Sequence, residues 1–251
     1  MTLPGPDAVL LVFVLFCRIG GCLMLMPGFS SPRVPIQARL FIAIAITLAL
    51  APLLLPGLQA TVTQPTLSII LTLLVAETLT GALIGLLGRV FFLALQFMAA
   101  ALASFIGFAG LPETPIEDIE PNPAVASLIT LTATLLFFVT DVHWEVLRGL
   151  VQSYTVLPVT GPVVIHLGLG RLVDATSDAF FLALQISSPF VVYALVINLM
   201  FGVVNKLTPQ IPVYFISLPF VVAGGLLLLT FTIGEFLTLF IDGVASWLRR
   251  G

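Results

Sequence analysis

Four ionisable side chains lie inside or directly beside long apolar runs, and they are the residues of this chain best placed to do chemistry: Arg18, Glu77, Arg89 and Glu235. A charged group in an apolar segment is costly. Such residues usually pair with one another or mark a path for protons or ions. We therefore expect these four to be buried charges with one of those two roles.

Glu77 is compatible with either role. One hypothesis is a proton or ion relay through its carboxylate. The other is a structural ion pair or hydrogen bond between helices, with Arg18 or Arg39 as the partner. A relay normally needs several acids along one path, whereas the acids in the apolar runs of this chain are scattered. The sequence favours the structural pair and leaves the relay open.

Other kinds of chemistry have no residues to support them. The chain has no phosphate-binding loop, no HExxH, no CxxC and no Gly-x-Ser-x-Gly. Cys17 and Cys22 would point to different faces of one helix, and His143 and His166 have no acid or cysteine at ligand spacing. The nine basic residues form no cluster for nucleic acid. We predict a protein that is not an enzyme and has no metal or cofactor.

The composition indicates the class of protein that must hold these residues. Of the 251 residues, 59% are hydrophobic and only 8% are charged, against about 25% charged in a soluble domain. The apolar runs are long and lack the alternation of barrel strands. The chain is therefore predicted to be all-α and membrane-associated.

The apolar runs predict six or seven membrane-length segments. Within Asp141–Gly170 the sequence predicts one amphipathic helix, because Val142, Val146, Leu150 and Tyr154 recur at four-residue spacing. Pro56–Pro65 reads as a loop, and Asn205–Pro212 as a polar turn. Asp174 and Asp178 would lie in the first turns of their helix, which Pro189 would kink. The predicted runs are Val9–Met26, Ile36–Leu55, Leu67–Gly88, Val90–Gly107, Ala124–Thr140, Leu172–Val204 and Val213–Trp247.

Gly81 and Gly85 form a GxxxG pair in the third run. Such a pair lets a second helix backbone approach closely. Chance is the alternative, because small residues are common in this chain. The spacing predicts a helix-packing site if the two glycines face a neighbour.

The segment Phe108–Pro123 differs from everything around it. It holds four prolines and four acidic residues between two apolar runs. Proline removes a backbone donor and disfavours helix for the residue before it, so this segment cannot be a regular helix. It is either an external linker or a piece of a pore.

Four blocks of sequence are distinctive: Arg18–Pro56, Glu77–Gln96, His143–Gly161 and Asn205–Gly225. The Asn-Lys-x-x-Pro-Gln core of the last block is the most specific of these motifs. The blocks resemble the FliR family, the core subunit of the flagellar protein-export gate that is related to the SctT family of virulence type III secretion. Ser217 departs from the Gly more usual in the family.

The resemblance implies a fold that fuses those of the partners FliP and FliQ, within a helical export-gate spire. Residues 1–170 would be FliP-like helical hairpins, with a plug loop near 106–123, and residues 172–251 a FliQ-like hairpin. The implied plug or gate residues are Phe105, Ile106, Phe108, Leu111, Pro112, Ile116, Ile119 and Pro121. The implied channel-entrance or subunit-contact residues are Asn205, Lys206, Pro209 and Gln210.

The same resemblance implies a function, partners and a place. The chain would be a non-enzymatic part of the channel that exports unfolded flagellar proteins, beside FliP and FliQ, with FlhB and FlhA as neighbours. It would lie in the bacterial inner membrane at the flagellar basal body. The alternatives are an SctT-type virulence subunit and, from a different class, a stand-alone secondary transporter.

Overall fold

The computed structural model describes residues 6–31, 34–61, 66–108, 124–157, 165–210 and 213–250. Within these ranges the chain is helical and has no strand, as the all-α prediction requires. The helices are α1 (Pro6–Leu25), α2 (Ile36–Thr61), α3 (Leu67–Phe105), α4 (Ala124–Val139), α5 (Val142–Val156), α6 (Ile165–Leu207) and α7 (Val213–Arg250).

Two expected interruptions are absent, because the helix continues through them. The predicted loop Pro56–Pro65 is wrong in its first half, since α2 runs through Pro52 and Pro56 to Thr61. Prolines are tolerated in apolar helices when neighbours satisfy the freed carbonyls. The two runs flanking Arg89 are one helix, α3, because a single arginine does not break helical geometry.

The long C-terminal helices also begin and end away from the predicted points. Because α6 starts at Ile165, Asp174 and Asp178 lie well inside it, and the prediction that they occupy its first turns is wrong. Pro189 lies within α6 as expected. Asn205 and Lys206 belong to the last turn of α6, so the polar turn is shorter than predicted.

Five helices are long and apolar enough to cross a membrane: α1, α2, α3, α6 and α7. A sixth span arises if α4 and α5 count as one broken crossing.

The threonine hydroxyl groups of the apolar helices bond within their own helix. Thr72, Thr78 and Thr132, for example, each donate to the carbonyl four residues earlier. This local bonding satisfies polar groups without a partner from another element.

Two compact units make up the chain, and three long helices contribute to both. Unit 1 comprises residues 1–90, 141–175 and 247–251, and unit 2 comprises residues 91–140 and 176–246. These units do not follow the division at 170–172 implied by the resemblance, which concerns likeness to partner folds and stays a prediction.

Unit 1 is built around α1, which packs along α2. Leu15 and Ile19 of α1 are fully buried. The predicted amphipathic helix is α5, whose stripe of Val142, Val146 and Leu150 is buried. At the far end of the chain, Arg249 forms an exposed ion pair with Glu145 of α5 at 3.3 Å.

Unit 2 has an aromatic core. Phe92 of α3 lies edge-on to Phe137 of α4 and to Phe240 of α7, with ring centroids 5.5 and 5.3 Å away. Phe137 and Phe240 are almost completely buried, as is Phe190 of α6. Edge-to-face pairs of this kind add about 0.5–1.5 kcal/mol each to the stabilisation from burial.

Candidate functional site

A buried ion pair joins α1 to α3 in unit 1. The Arg18 guanidinium donates from Nε to Glu77 Oε2 and from Nη2 to Glu77 Oε1, both at 2.6 Å. The two side chains are only 1% and 2% exposed. This is the two-pronged geometry in which arginine binds a carboxylate most strongly.

The other donors of Arg18 bind the end of α5. Nη1 donates to Ser153 Oγ at 3.1 Å, and Nη2 donates to the Leu157 carbonyl at 3.0 Å. The last carbonyls of a helix lack partners within it and carry partial negative charge. The guanidinium carbon also lies 4.0 Å from the centre of the Tyr154 ring, in a cation–π contact. Arg18 therefore connects three helices.

A close helix crossing brings Arg18 and Glu77 together. A Cβ at Gly81 would overlap the Arg18 carbonyl, and one at Gly85 would overlap the Cys22 carbonyl. Glu77, Gly81 and Gly85 follow one another at four-residue spacing and so lie on one face of α3. The GxxxG pair thus lies against the α1 backbone next to the ion pair.

The remaining charged candidates occupy other environments. Arg39 donates to the carbonyls of Ser31 and Val34 at 2.9–3.0 Å and so braces the turn before α2. Arg89 is half-buried and Glu235 is exposed on this chain. The assignment of these two as buried charges stays a prediction.

The contacts of this centre hold three helices together. Both oxygens of Glu77 face the guanidinium, so the two formal charges balance inside the protein. Among the described residues, no group of three or more His, Cys, Asp or Glu could hold a metal. The structural pair with Arg18, rather than Arg39, is the arrangement present.

Sequence reasoning missed the α5 contribution to this centre. Ser153 and Tyr154 lie in the amphipathic helix, and nothing in their types or spacing pointed to Arg18. The signal that could have helped is the break that follows Val156, because a helix end supplies free carbonyls to a cation.

The implied gate residues lie partly within the structure. Ile106 is fully buried in unit 2, and Phe105 and Phe108 are half-buried. Leu111, Pro112, Ile116, Ile119 and Pro121 lie outside the described residues. The structure therefore covers the base of the proposed plug, where the chain leaves α3.

The implied entrance residues lie at the end of α6. Asn205 and Lys206 are in its last turn, and Pro209 and Gln210 follow in the turn. All four are exposed on this chain. They are available to a neighbour, although nothing in the structure identifies one.

The sequence profile described as "Bacterial export proteins, family 1" matches residues 9–246, nearly the whole chain. The chain belongs to this family. The matched range includes both the Arg18 centre and the end of α3.

Relatives in this export family carry one name. The chain is 30% identical to the flagellar biosynthetic protein FliR of Caulobacter vibrioides over 224 residues, covering 88% of this chain and 87% of the relative. It is 28% identical to FliR of Aquifex aeolicus, covering 85% and 81%. It is 25% identical to FliR of Escherichia coli, covering 84% and 80%.

Proposed function

We propose that this chain is a non-enzymatic core subunit of the flagellar type III protein-export gate in the bacterial inner membrane. The observation that carries the proposal is the family match over residues 9–246, together with relatives named flagellar biosynthetic protein FliR along most of both chains. Unfolded flagellar proteins would pass through a channel to which this chain contributes.

The lengths of the helices support a subunit covered by other proteins. At 1.5 Å per residue, the 39 residues of α3 and the 43 of α6 are about 58 and 65 Å long. The hydrocarbon core of a bilayer is only about 30 Å thick. Parts of these helices would therefore stand outside it, and because they are apolar they need a protein neighbour.

The exposed surface of α6 supports the same view. Leu199, Met200 and Leu207 are each more than half exposed near its C-terminal end. They precede the exposed polar turn that begins after Leu207. We propose that FliP and FliQ subunits cover this surface, with Asn205, Lys206, Pro209 and Gln210 at the channel entrance and FlhB and FlhA nearby.

The segment Phe108–Pro123 is proposed to narrow the closed channel. Its prolines reduce the conformational entropy lost when a loop is held in one path. Its apolar side chains can exclude water, and therefore ions, from a pore. The buried Arg18–Glu77 pair has a different role in this proposal: it holds α1, α3 and α5 together.

Composition of the native assembly tests the proposal most directly. The tagged chain would be purified from its own host in mild detergent, and the intact assembly weighed by mass spectrometry. We expect a large complex that contains FliP and FliQ relatives, whose identities would also separate flagellar from virulence use. A stable monomer or homodimer would overturn the proposal and favour a stand-alone transporter.

The channel role has its own experiment. Deleting Leu111–Pro121 should raise the ion conductance of the assembled complex in a planar bilayer, because the apolar constriction is lost. A second variant replaces Leu111, Ile116 and Ile119 by serine at constant length, and it should also raise the conductance, because the apolar side chains are lost while the length of the segment is kept. Unchanged conductance in a correctly assembled deletion complex would refute the plug.

A further inference from the structure

Ile106 fits into a notch that only glycine provides. Its side chain is fully buried in unit 2, just beyond the end of α3. A Cβ at Gly225 of α7 would overlap both Cβ and Cγ2 of Ile106. Any larger residue at position 225 would therefore push Ile106, and the chain that follows it, away from α7.

The next residue turns the chain against the same helix. Gly107 has φ +87, in the left-handed region that favours glycine at helix ends. Its N–H donates to the Ser104 carbonyl at 3.1 Å. A Cβ at Gly107 would lie 3.3 Å from Val222 Cγ2 and 3.4 Å from Leu218 Cδ1 of α7, so the chain packs closely against this helix. Contacts at two successive residues, Ile106 and Gly107, therefore hold the chain against α7 where it leaves α3.

Tyr193 of α6 contacts the same part of α7 from a different direction than Ile106 does. Its hydroxyl donates to the Val221 carbonyl at 2.7 Å. A Cβ at Gly224 would lie 2.8 Å from the Tyr193 oxygen. Because successive helix residues point about 100° apart, Gly224 opens α7 to Tyr193 while Gly225 opens it to Ile106.

The Tyr193 bond reaches a carbonyl that the helix already uses. In an α-helix the Val221 carbonyl accepts from the N–H of residue 225, and a carbonyl oxygen has a second lone pair for the hydroxyl. The bond therefore ties α6 to the turn of α7 on which Ile106 rests, at the point where both glycines remove side chains.

The geometry points to a positioning joint, in which Ile106, Tyr193 and the Gly224–Gly225 pair set the path on which the chain leaves α3. The joint rests on the proposed function, since its purpose is to hold the base of the segment Phe108–Pro123. It acts through that segment and does not itself line a channel. Both contacts converge on one turn of α7, so loss of either contact loosens the exit.

The test uses the complete complex that contains this chain. A thiol is introduced by Phe108→Cys, and its reaction with a charged, membrane-impermeant maleimide is timed, with the unsubstituted chain measured alongside to subtract Cys17 and Cys22. Conductance in a planar bilayer is the second readout. Gly225→Ala is the perturbation, and Gly234→Ala on the same helix is the control, because a Cβ there meets nothing within 4 Å.

We expect Gly225→Ala to raise the labelling rate about tenfold, the effect of a small loss of local stability. The conductance should also rise. Gly234→Ala should leave both at the parental values. A Gly225→Ala complex with parental labelling would overturn the joint.

The outcomes separate the joint from the plug. If Gly225→Ala speeds labelling while deletion of Leu111–Pro121 leaves conductance unchanged, the joint stands and the plug fails. If the deletion raises conductance but Gly225→Ala changes neither readout, the plug stands and the joint fails. If Gly225→Ala prevents assembly, Tyr193→Phe decides: faster labelling supports the joint, and parental labelling refutes it.

Discussion

Breaking the Arg18–Glu77 pair from either side should strongly destabilise the chain, because each change strands the other charge. Arg18→Met leaves a buried carboxylate without its cation, and Glu77→Leu leaves a buried guanidinium without its anion. Removing one partner of a buried pair costs about 3–5 kcal/mol. We therefore expect each single variant to lose an amount of that order from its free energy of unfolding.

The double variant Arg18→Met/Glu77→Leu should be less damaged than either single variant. Replacing a whole buried pair by apolar groups is neutral or even stabilising. What remains is an unpaired Leu157 carbonyl, at about 1–3 kcal/mol, and a lost cation–π contact with Tyr154, at about 0.5–2 kcal/mol. Ser153 keeps its own bond to the Leu150 carbonyl at 2.6 Å.

The expected losses of the two single variants and of the double variant predict a measurable coupling energy between Arg18 and Glu77. The two single losses total about 6–10 kcal/mol. The double loss is about 1.5–5 kcal/mol, so the coupling energy should be about 1 kcal/mol at the least and about 5 kcal/mol from the middle of these ranges. Close charge pairs give coupling energies in this range. A difference of about 3 kcal/mol changes the folded-to-unfolded ratio roughly a hundredfold, which is enough to change abundance in the cell.

The assay is the amount of tagged chain in the membrane fraction, the unfolding midpoint of the purified complex, and swimming of the host. We expect the double variant to exceed both single variants in the first two measurements. Equal or additive losses would refute the structural account. A double variant that accumulates and assembles normally while export fails would show instead that the charged pair has a role in export beyond holding the helices.

Three further substitutions follow from the packing. Gly81→Ala should abolish accumulation of the chain, because its Cβ would overlap the Arg18 carbonyl, whereas Gly57→Ala should not, since a Cβ there meets nothing within 4 Å. Phe240→Ala should lower the free energy of unfolding of the purified complex by about 3–5 kcal/mol, because Phe240 is buried. Phe231→Ala on the same helix should lower it little through contacts within this chain, because Phe231 is exposed. Gly107→Ala should lower the unfolding midpoint of the complex, because a left-handed residue other than glycine is strained by about 1–2 kcal/mol. An unchanged midpoint would contradict that interpretation of its φ.

Composition and apolar periodicity were sufficient for the class of fold. The low charge and the long runs predicted helices, and the helices α1 and α4 begin and end within a few residues of the predicted runs. The stripe of α5 was readable for the same reason, since Val142, Val146 and Leu150 recur at helical spacing and are buried. The spacing of apolar residues along a helix can be read directly from the sequence, and it predicts which face of the helix is buried.

Helix boundaries were less predictable where a single residue suggested a break. Pro56 and Arg89 both marked an end in the sequence, yet α2 and α3 continue through them. In an apolar setting a lost backbone bond or one polar side chain costs less than ending a helix and exposing its carbonyls. A single proline or arginine therefore did not predict the end of a helix correctly, because a free helix end would cost more than the local disturbance.

The candidate site shows the same limit in a different way. Arg18 and Glu77 were identifiable as expensive charges, and their pairing was one of two open hypotheses. Ser153, Leu157 and Tyr154 were not identifiable, because they meet Arg18 through the position of a helix end that lies far along the chain. The notch at Gly225 was hidden likewise: a glycine pair in the sequence does not say which side chain fills the space.

The ion pair and the glycine seam depend on each other. Arg18 contributes its side chain to Glu77 and its backbone carbonyl to the surface that Gly81 faces. Glu77 and Gly81 are one helical turn apart on the same face of α3. The guanidinium therefore reaches the carboxylate in this geometry because Gly81 lets the two backbones approach, and the pair in turn offsets the cost of placing two charges at that depth. A bulky residue at position 81 would separate the helices and strand both charges at once, which makes the glycine as necessary to the centre as either charged side chain.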